Sequence, residues 1–96
     1  MKTEIVRNTP AVVLRGNSGY SQGEDREIFR EELIKAPIGE IWGSSNGNCA
    51  RDSIQETAIL LYRDGSGCLL KIRTESYDDS PDGKMSRDIR LVWVEF

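Results

Sequence analysis

Residues 57–63 (TAILLYR) and 68–74 (CLLKIRT) are apolar runs flanking the turn Asp64-Gly65-Ser66-Gly67. The first is rich in residues that fit a pleated surface, and the second alternates at Leu70, Lys71, Ile72 and Arg73. A short glycine-containing linker joins such runs as a β-hairpin, because glycine accepts the positive φ of tight reversals. Pairing Arg63 with Cys68 across the turn sets a register, and side chains alternate between faces with a period of two. Ile59 and Leu61 then share one face with Leu70 and Ile72. Leu60 and Tyr62 share the other with Leu69, Lys71 and Arg73. Residues 88–96 (DIRLVWVEF) read as a final strand, with Ile89, Leu91 and Trp93 opposite to Arg90, Val92, Val94 and Phe96. Both faces of the sheet carry large apolar side chains, more than one helix can cover.

Upstream, residues 3–7 and 11–15 are short β-like runs separated by Pro10, which belongs at a sheet edge or a strand start. Residues 16–19 compose a loop. Ser21 followed by Glu24 matches a capping box, and the helix it opens is expected over 22–35, ending before Ala36-Pro37. Glu24, Asp25 and Lys35 suit the helix macrodipole, and Glu31 and Lys35 form an i,i+4 pair. Ile28, Phe29, Leu33 and Ala36 form its apolar side, with Glu32 at the rim. Residues 38–42 read as a short strand and 43–48 as a loop. Residues 49–62 carry two periodicities. Ala50, Ile54, Ala58, Leu61 and Tyr62 recur at helical spacing, whereas Thr57, Ile59 and the turn that follows favour a strand, the reading adopted here. Residues 75–86 (ESYDDSPDGKMS) form a polar connection. The expected fold is α+β: an antiparallel sheet of about four to five strands ending in a β-meander, with one main helix on one face, all in a single domain over 1–96.

Composition narrows function. Hydrophobic residues at 38% and charged residues at 30% describe an ordinary globular chain. Histidine is absent, which removes the commonest general base, metal ligand and pH switch. Ser-His and Cys-His nucleophile pairs are excluded, so no enzyme is expected. Two cysteines, Cys49 and Cys68, are too few for a zinc site or a disulfide framework, and read as small, partly buried thiols. No cofactor and no metal are expected. A net charge of −3 offers no general attraction to nucleic acid, so direct nucleic-acid binding is not expected. No apolar run has membrane-spanning length, and the opening MKTEIVR has no long apolar segment. No membrane contact and a cytoplasmic location are therefore expected.

Residues 16–19, 43–48 and 64–67 are rich in Gly, Ser and Asn, but none has the P-loop lysine or the dinucleotide spacing. They read as turns, with a small-molecule or nucleotide pocket between two of them as the alternative function. Acidic clusters fall at Glu24, Asp25, Glu27, Glu31 and Glu32, and at Asp78 and Asp79. The second lacks the twelve-residue calcium-loop pattern. Both clusters are candidate partner-binding surfaces, where charge speeds encounter with a basic partner. Leu60, Tyr62, Leu69 and Val92 form a candidate self-association patch, giving a possible homodimer. The expected function is a small acidic non-catalytic protein that binds and inhibits or modulates a macromolecule, either a protein or a protein–nucleic acid complex. In size and character it is similar to immunity proteins and to virus-encoded inhibitors of host defence, without any motif in common.

Overall fold

The computed structural model describes residues 2–19, 22–47, 52–78 and 85–96. Within them lie β1 (Thr3–Val6), β2 (Ala11–Leu14), β3 (Gly16–Ser18), β4 (Arg26–Phe29), α1 (Arg30–Lys35), β5 (Ile41–Gly43), β6 (Ser53–Asp64), β7 (Gly67–Tyr77) and β8 (Met85–Glu95). Six strands make one sheet in the order β1-β8-β7-β6-β3, with β5 also paired to β6. β2 and β4 form a separate two-stranded ribbon.

The meander β6-β7-β8 is the expected one, and Arg63 does pair with Cys68. Its first turn closes on Asp64, whose carboxylate accepts from the Ser66 amide at 2.8 Å and the Ser66 hydroxyl at 2.7 Å. Gly67 follows because β8 crosses close behind it: a Cβ there would lie 2.4 Å from the Val94 carbonyl oxygen. The strands run further into the polar connection than its composition suggests, β7 to Tyr77 and β8 from Met85.

One register expectation changes. A bulge at Leu61 lets Leu60 pair with Leu70 while Tyr62 pairs with Leu69. An extra residue shifts the alternation by one. Leu60 therefore joins Leu70, Ile72 and Val92 on the inner face and Ile59, expected beside Leu70 and Ile72, lies on the outer one, while Tyr62 keeps its expected place with Leu69, beside Trp93. The inner face packs against the ribbon and the helix. Val12, Leu14, Ile28 and Leu33 meet Ala58, Leu60, Cys68, Leu70, Ile72, Val92 and Val94 in one buried cluster, with Trp42 from β5.

The expected α+β architecture with a main helix is overturned. The chain is mostly β, its sheet is mixed, and its one described helix spans six residues. Residues 26–29, read from the sequence as helix, form β4 and pair with β2, which buries Ile28 against the core. Gly23 and Glu24 explain why no helix starts earlier. Gly23 has φ +97°, outside the helical region, and Glu24 exchanges two backbone hydrogen bonds with Ser45, at 2.9 and 3.0 Å. Ser21, the expected cap, lies outside the described residues. The helix opens instead at Phe29, whose amide donates to the Glu32 carboxylate at 2.9 Å. It closes on Arg63, which donates to the Leu33 carbonyl at 3.0 Å and also to the Ala36 carbonyl. Residues 16–18, expected as loop, form β3 against β6. β1 runs parallel to β8, so the sheet is not purely antiparallel.

Leu70→Ala should cost about 2–5 kcal/mol, the usual loss for emptying a filled core site. Ile34→Ala, on the exposed side of α1, should stay within about 0.5 kcal/mol of wild type. Urea midpoints of the two variants, compared at equal slope, check both.

Candidate functional site

The outer face of the long strands carries an apolar field that no described strand or helix covers. Paired positions across the sheet share a face, which gives the rows directly. Ile5, Trp93, Leu69 and Tyr62 form one row, and Leu91, Lys71, Ile59 and Ile41 the next. Ile89, Arg73 and Thr57 form a third. Ile41 is 62% exposed, Ile5 55% and Tyr62 51%, large values for side chains of this kind. Tyr62 and Trp93 stack with ring centroids 6.3 Å apart. A cavity of about 250 Å³ opens between Ile41, Ile59, Lys71, Arg73 and Ile89. Arg73 is held by Glu75 at 3.1 Å. Lys71 has no ion-pair partner among the described residues.

The inner face carries the most buried charge among the described residues. Glu56 is fully buried on β6. Its carboxylate accepts from the Arg15 amide at 2.8 Å, Arg15 Nε at 3.1 Å and the Thr74 hydroxyl at 2.5 Å, and lies 3.5 Å from the Arg90 guanidinium. Ser44 completes the junction. Its hydroxyl donates to the Arg15 carbonyl at 2.6 Å and accepts from the Glu56 amide at 2.9 Å. Burial pushes the Glu56 carboxyl up, but the bonds from Thr74 and Arg15 and the charge of Arg90 outweigh it, so the group is held below its ordinary 4.5. These contacts satisfy the carboxylate on every side and leave it no access to a substrate. Its role is to join the end of β2 to β6, β7 and β8.

The acidic candidates do not form one surface of free charges. Glu24 lies at the bridge to Ser45, and the Asp25 carboxylate accepts from the Gly16 amide at 2.9 Å. Glu27 is exposed on β4 and Glu31 on α1. Glu32 is taken by Arg26 at 2.5 Å, and the hydrogen bond from that guanidinium holds its carboxyl below the ordinary value. Asp78 is exposed after β7, and Asp79 lies outside the described residues. The self-association set is split between the faces: Leu60 and Val92 are buried inside, while Tyr62 and Leu69 face outward. Of residues 16–19, Asn17, Ser18 and Gly19 line a cleft of about 360 Å³, beside Asp52, Ser53, Tyr77 and Asp78. Residues 43–47 do not contribute to it. The buried Cys68 thiol is pushed up to about 11 by burial, which suppresses the thiolate form. Cys49 lies outside the described residues. Among the described residues no three His, Cys, Asp or Glu side chains are grouped to hold a metal ion, and no helix is long and apolar enough to cross a membrane.

The sequence pattern shows Ile89, Leu91 and Trp93 sharing a side. It carries no signal that Ile5 and Ile41 join them, because their strands pair with partners distant in the chain. Searches of protein-family models, curated proteins and solved structures find no match to this chain.

Glu56→Gln should destabilise the fold by about 1–3 kcal/mol, because an amide cannot accept from every donor now aimed at the carboxylate. A carboxyl depressed in the folded state contributes stability that is present above its unfolded value and lost as pH falls through its folded value. Wild-type stability should therefore decline below about pH 4.5, and the decline should be shallower in Glu56→Gln. Urea titrations between neutral and acid pH measure both effects. A second outcome follows from Cys68: iodoacetamide at mildly alkaline pH should leave it unlabelled in the native protein and label it in urea, read by peptide mass spectrometry.

Proposed function

We propose that this protein is a non-catalytic binding module that docks a macromolecular partner on the open face of its sheet and so inhibits or modulates it. The observation that carries this reading is the uncovered field of Ile5, Ile41, Ile59, Tyr62, Leu69 and Trp93 with Lys71 and Arg73 set into it. Monomeric soluble proteins rarely leave such a field bare without a use for it. Aromatic and apolar anchors beside cations are the make-up of interface hot spots.

The charge pattern indicates what fits there. The segment 22–47, which includes β4 and α1 of the covering layer, carries six acidic residues against three basic ones. The open face presents Lys71, which has no ion-pair partner among the described residues, beside Arg73 paired with Glu75. A partner surface that is partly apolar and acidic complements it. A second copy fits less well, since it brings Lys71 and Arg73 toward the same side chains of its mate. The chain's net charge of −3 favours a protein surface over bare nucleic acid. A cytoplasmic partner and a role in blocking a larger assembly, as host-defence inhibitors do, belong to the same reading.

The cleft beside Ser18 and Asp52 supports a second reading, the sequestering of a small molecule. Its volume of about 360 Å³ lies within the ordinary range of ligand sites.

Affinity capture from lysate with three tagged proteins tests the first reading: wild type, an open-face variant (Ile41→Glu with Lys71→Glu) and a covering-layer variant (Glu27→Arg with Glu31→Arg). All four positions are exposed, so folding should be preserved. The open-face variant should lose an acidic partner by at least about tenfold, while the covering-layer variant retains it. Loss confined to the covering-layer variant, or the same result with all three proteins, overturns the reading.

A further inference from the structure

β8 runs from Met85 to Glu95, but β1 pairs only with its residues 91–94. Beside residues 85–90 no described strand occupies the outer lane, although β7 pairs with all of them on the other side. Five of these six residues are exposed. Such an edge turns the N–H and C=O groups of alternate residues outward, ready to bond to another strand. That stretch of edge, beside which no described strand lies, is roughly 20 Å long at the rise of a β-strand.

We propose that this edge takes up an extended segment of the partner as an added strand. The segment carries one acidic residue, with an apolar residue two positions away on each side. This inference rests on the open-face reading above and names how the partner enters that face. Met85, Arg87 and Ile89 alternate onto the outer face, continuous with the apolar field. Met85 and Ile89 are each 39% exposed and ask for apolar neighbours. Arg87 sits across from Glu75 on β7, but Glu75 is held by Arg73 at 3.1 Å. Arg87 has no ion-pair partner among the described residues, and its other flank faces the lane in which no described strand lies. A carboxylate on the incoming strand, directly opposite, completes it. The inward positions opposite Ser86 and Asp88 call for polar residues.

The same charges argue against a second copy as occupant. Two-fold antiparallel pairing sets the central residue opposite itself. Centred on the middle of the segment, it juxtaposes Arg87 with Arg87 or Asp88 with Asp88, and like charges directly opposite are destabilising.

A direct test titrates isotope-labelled protein with the peptide acetyl-Val-Thr-Glu-Thr-Val-amide. Its order is the same in both directions, so it covers parallel and antiparallel addition. The comparison peptide replaces Glu with Lys. Saturable amide shifts should centre on residues 85–90, with about fivefold preference for the Glu peptide. Arg87→Glu, at an exposed position, should reverse that preference. Shifts absent from 85–90 at millimolar peptide, or equal affinity for both peptides, overturn the proposal. The probe is independent of the lysate partner. Edge binding can therefore fail while open-face capture stands, and capture can fail while the edge still binds.

Discussion

Leu60, Leu70 and Val92 stand directly opposite one another on three neighbouring strands, and the rest of the structure depends on their burial. All three are almost fully removed from water. Burying a side chain of this size is worth about 1.5–3 kcal/mol, but only if something covers it. The six-residue helix is too small a lid for so long a sheet. The chain meets the need with the β2–β4 ribbon, which brings Val12, Leu14 and Ile28 onto the same core, while α1 adds Leu33. Strand formation at 26–29 and the brevity of the helix are thus consequences of covering one apolar row.

Glu56 sets the polar limit of that row. A buried carboxylate is costly unless its oxygens are bonded, and here Arg15, Thr74 and Arg90 converge on it from separate strands and a connecting residue. The geometry also constrains the backbone. Gly16 follows Arg15 at a point where a Cβ would lie 2.4 Å from the carbonyl oxygens of Glu24 and Ser45, so the chain passes there only as glycine. Charge and close packing together fix where β2 ends and β3 begins.

The outer face follows from the same meander by alternation. Any residue set that buries Leu60, Leu70 and Val92 must direct its neighbours outward, and those neighbours include Ile59, Leu69 and Trp93. The bulge at Leu61 adds Tyr62 to them. A merely solvated face would be expected to carry polar residues at these positions. That it does not, while cations stand within the field and acids concentrate in the covering segment, is the ground on which the binding proposal rests. The short β1 leaves residues 85–90 of β8 with no described strand on the side away from β7, and Arg87 and Asp88 mark that edge with charge. Charged edges resist indiscriminate strand pairing while leaving a complementary strand able to enter.

Local sequence determined the meander. Period-two alternation in β7 and β8, the Asp64–Gly67 turn and the apolar character of both faces are all properties of adjacent residues, and so was the strand over residues 53–64 despite a competing helical spacing. Tertiary structure decided the rest. Residues 26–29 hold a helix-like apolar pattern, yet they extend because Ala11–Leu14 offers a pairing partner and Gly23 and Glu24 are committed elsewhere. The parallel contact of β1 with β8 joins the two ends of the sequence, so no local pattern encodes it. The bulge at Leu61 moved Leu60 to the inner face and Ile59 to the outer one, dividing Leu60 from Tyr62, which strict alternation had placed together. Alternation is local and can be read along the chain. Pairing, bulges and burial depend on which distant segments meet, and only the folded molecule specifies them.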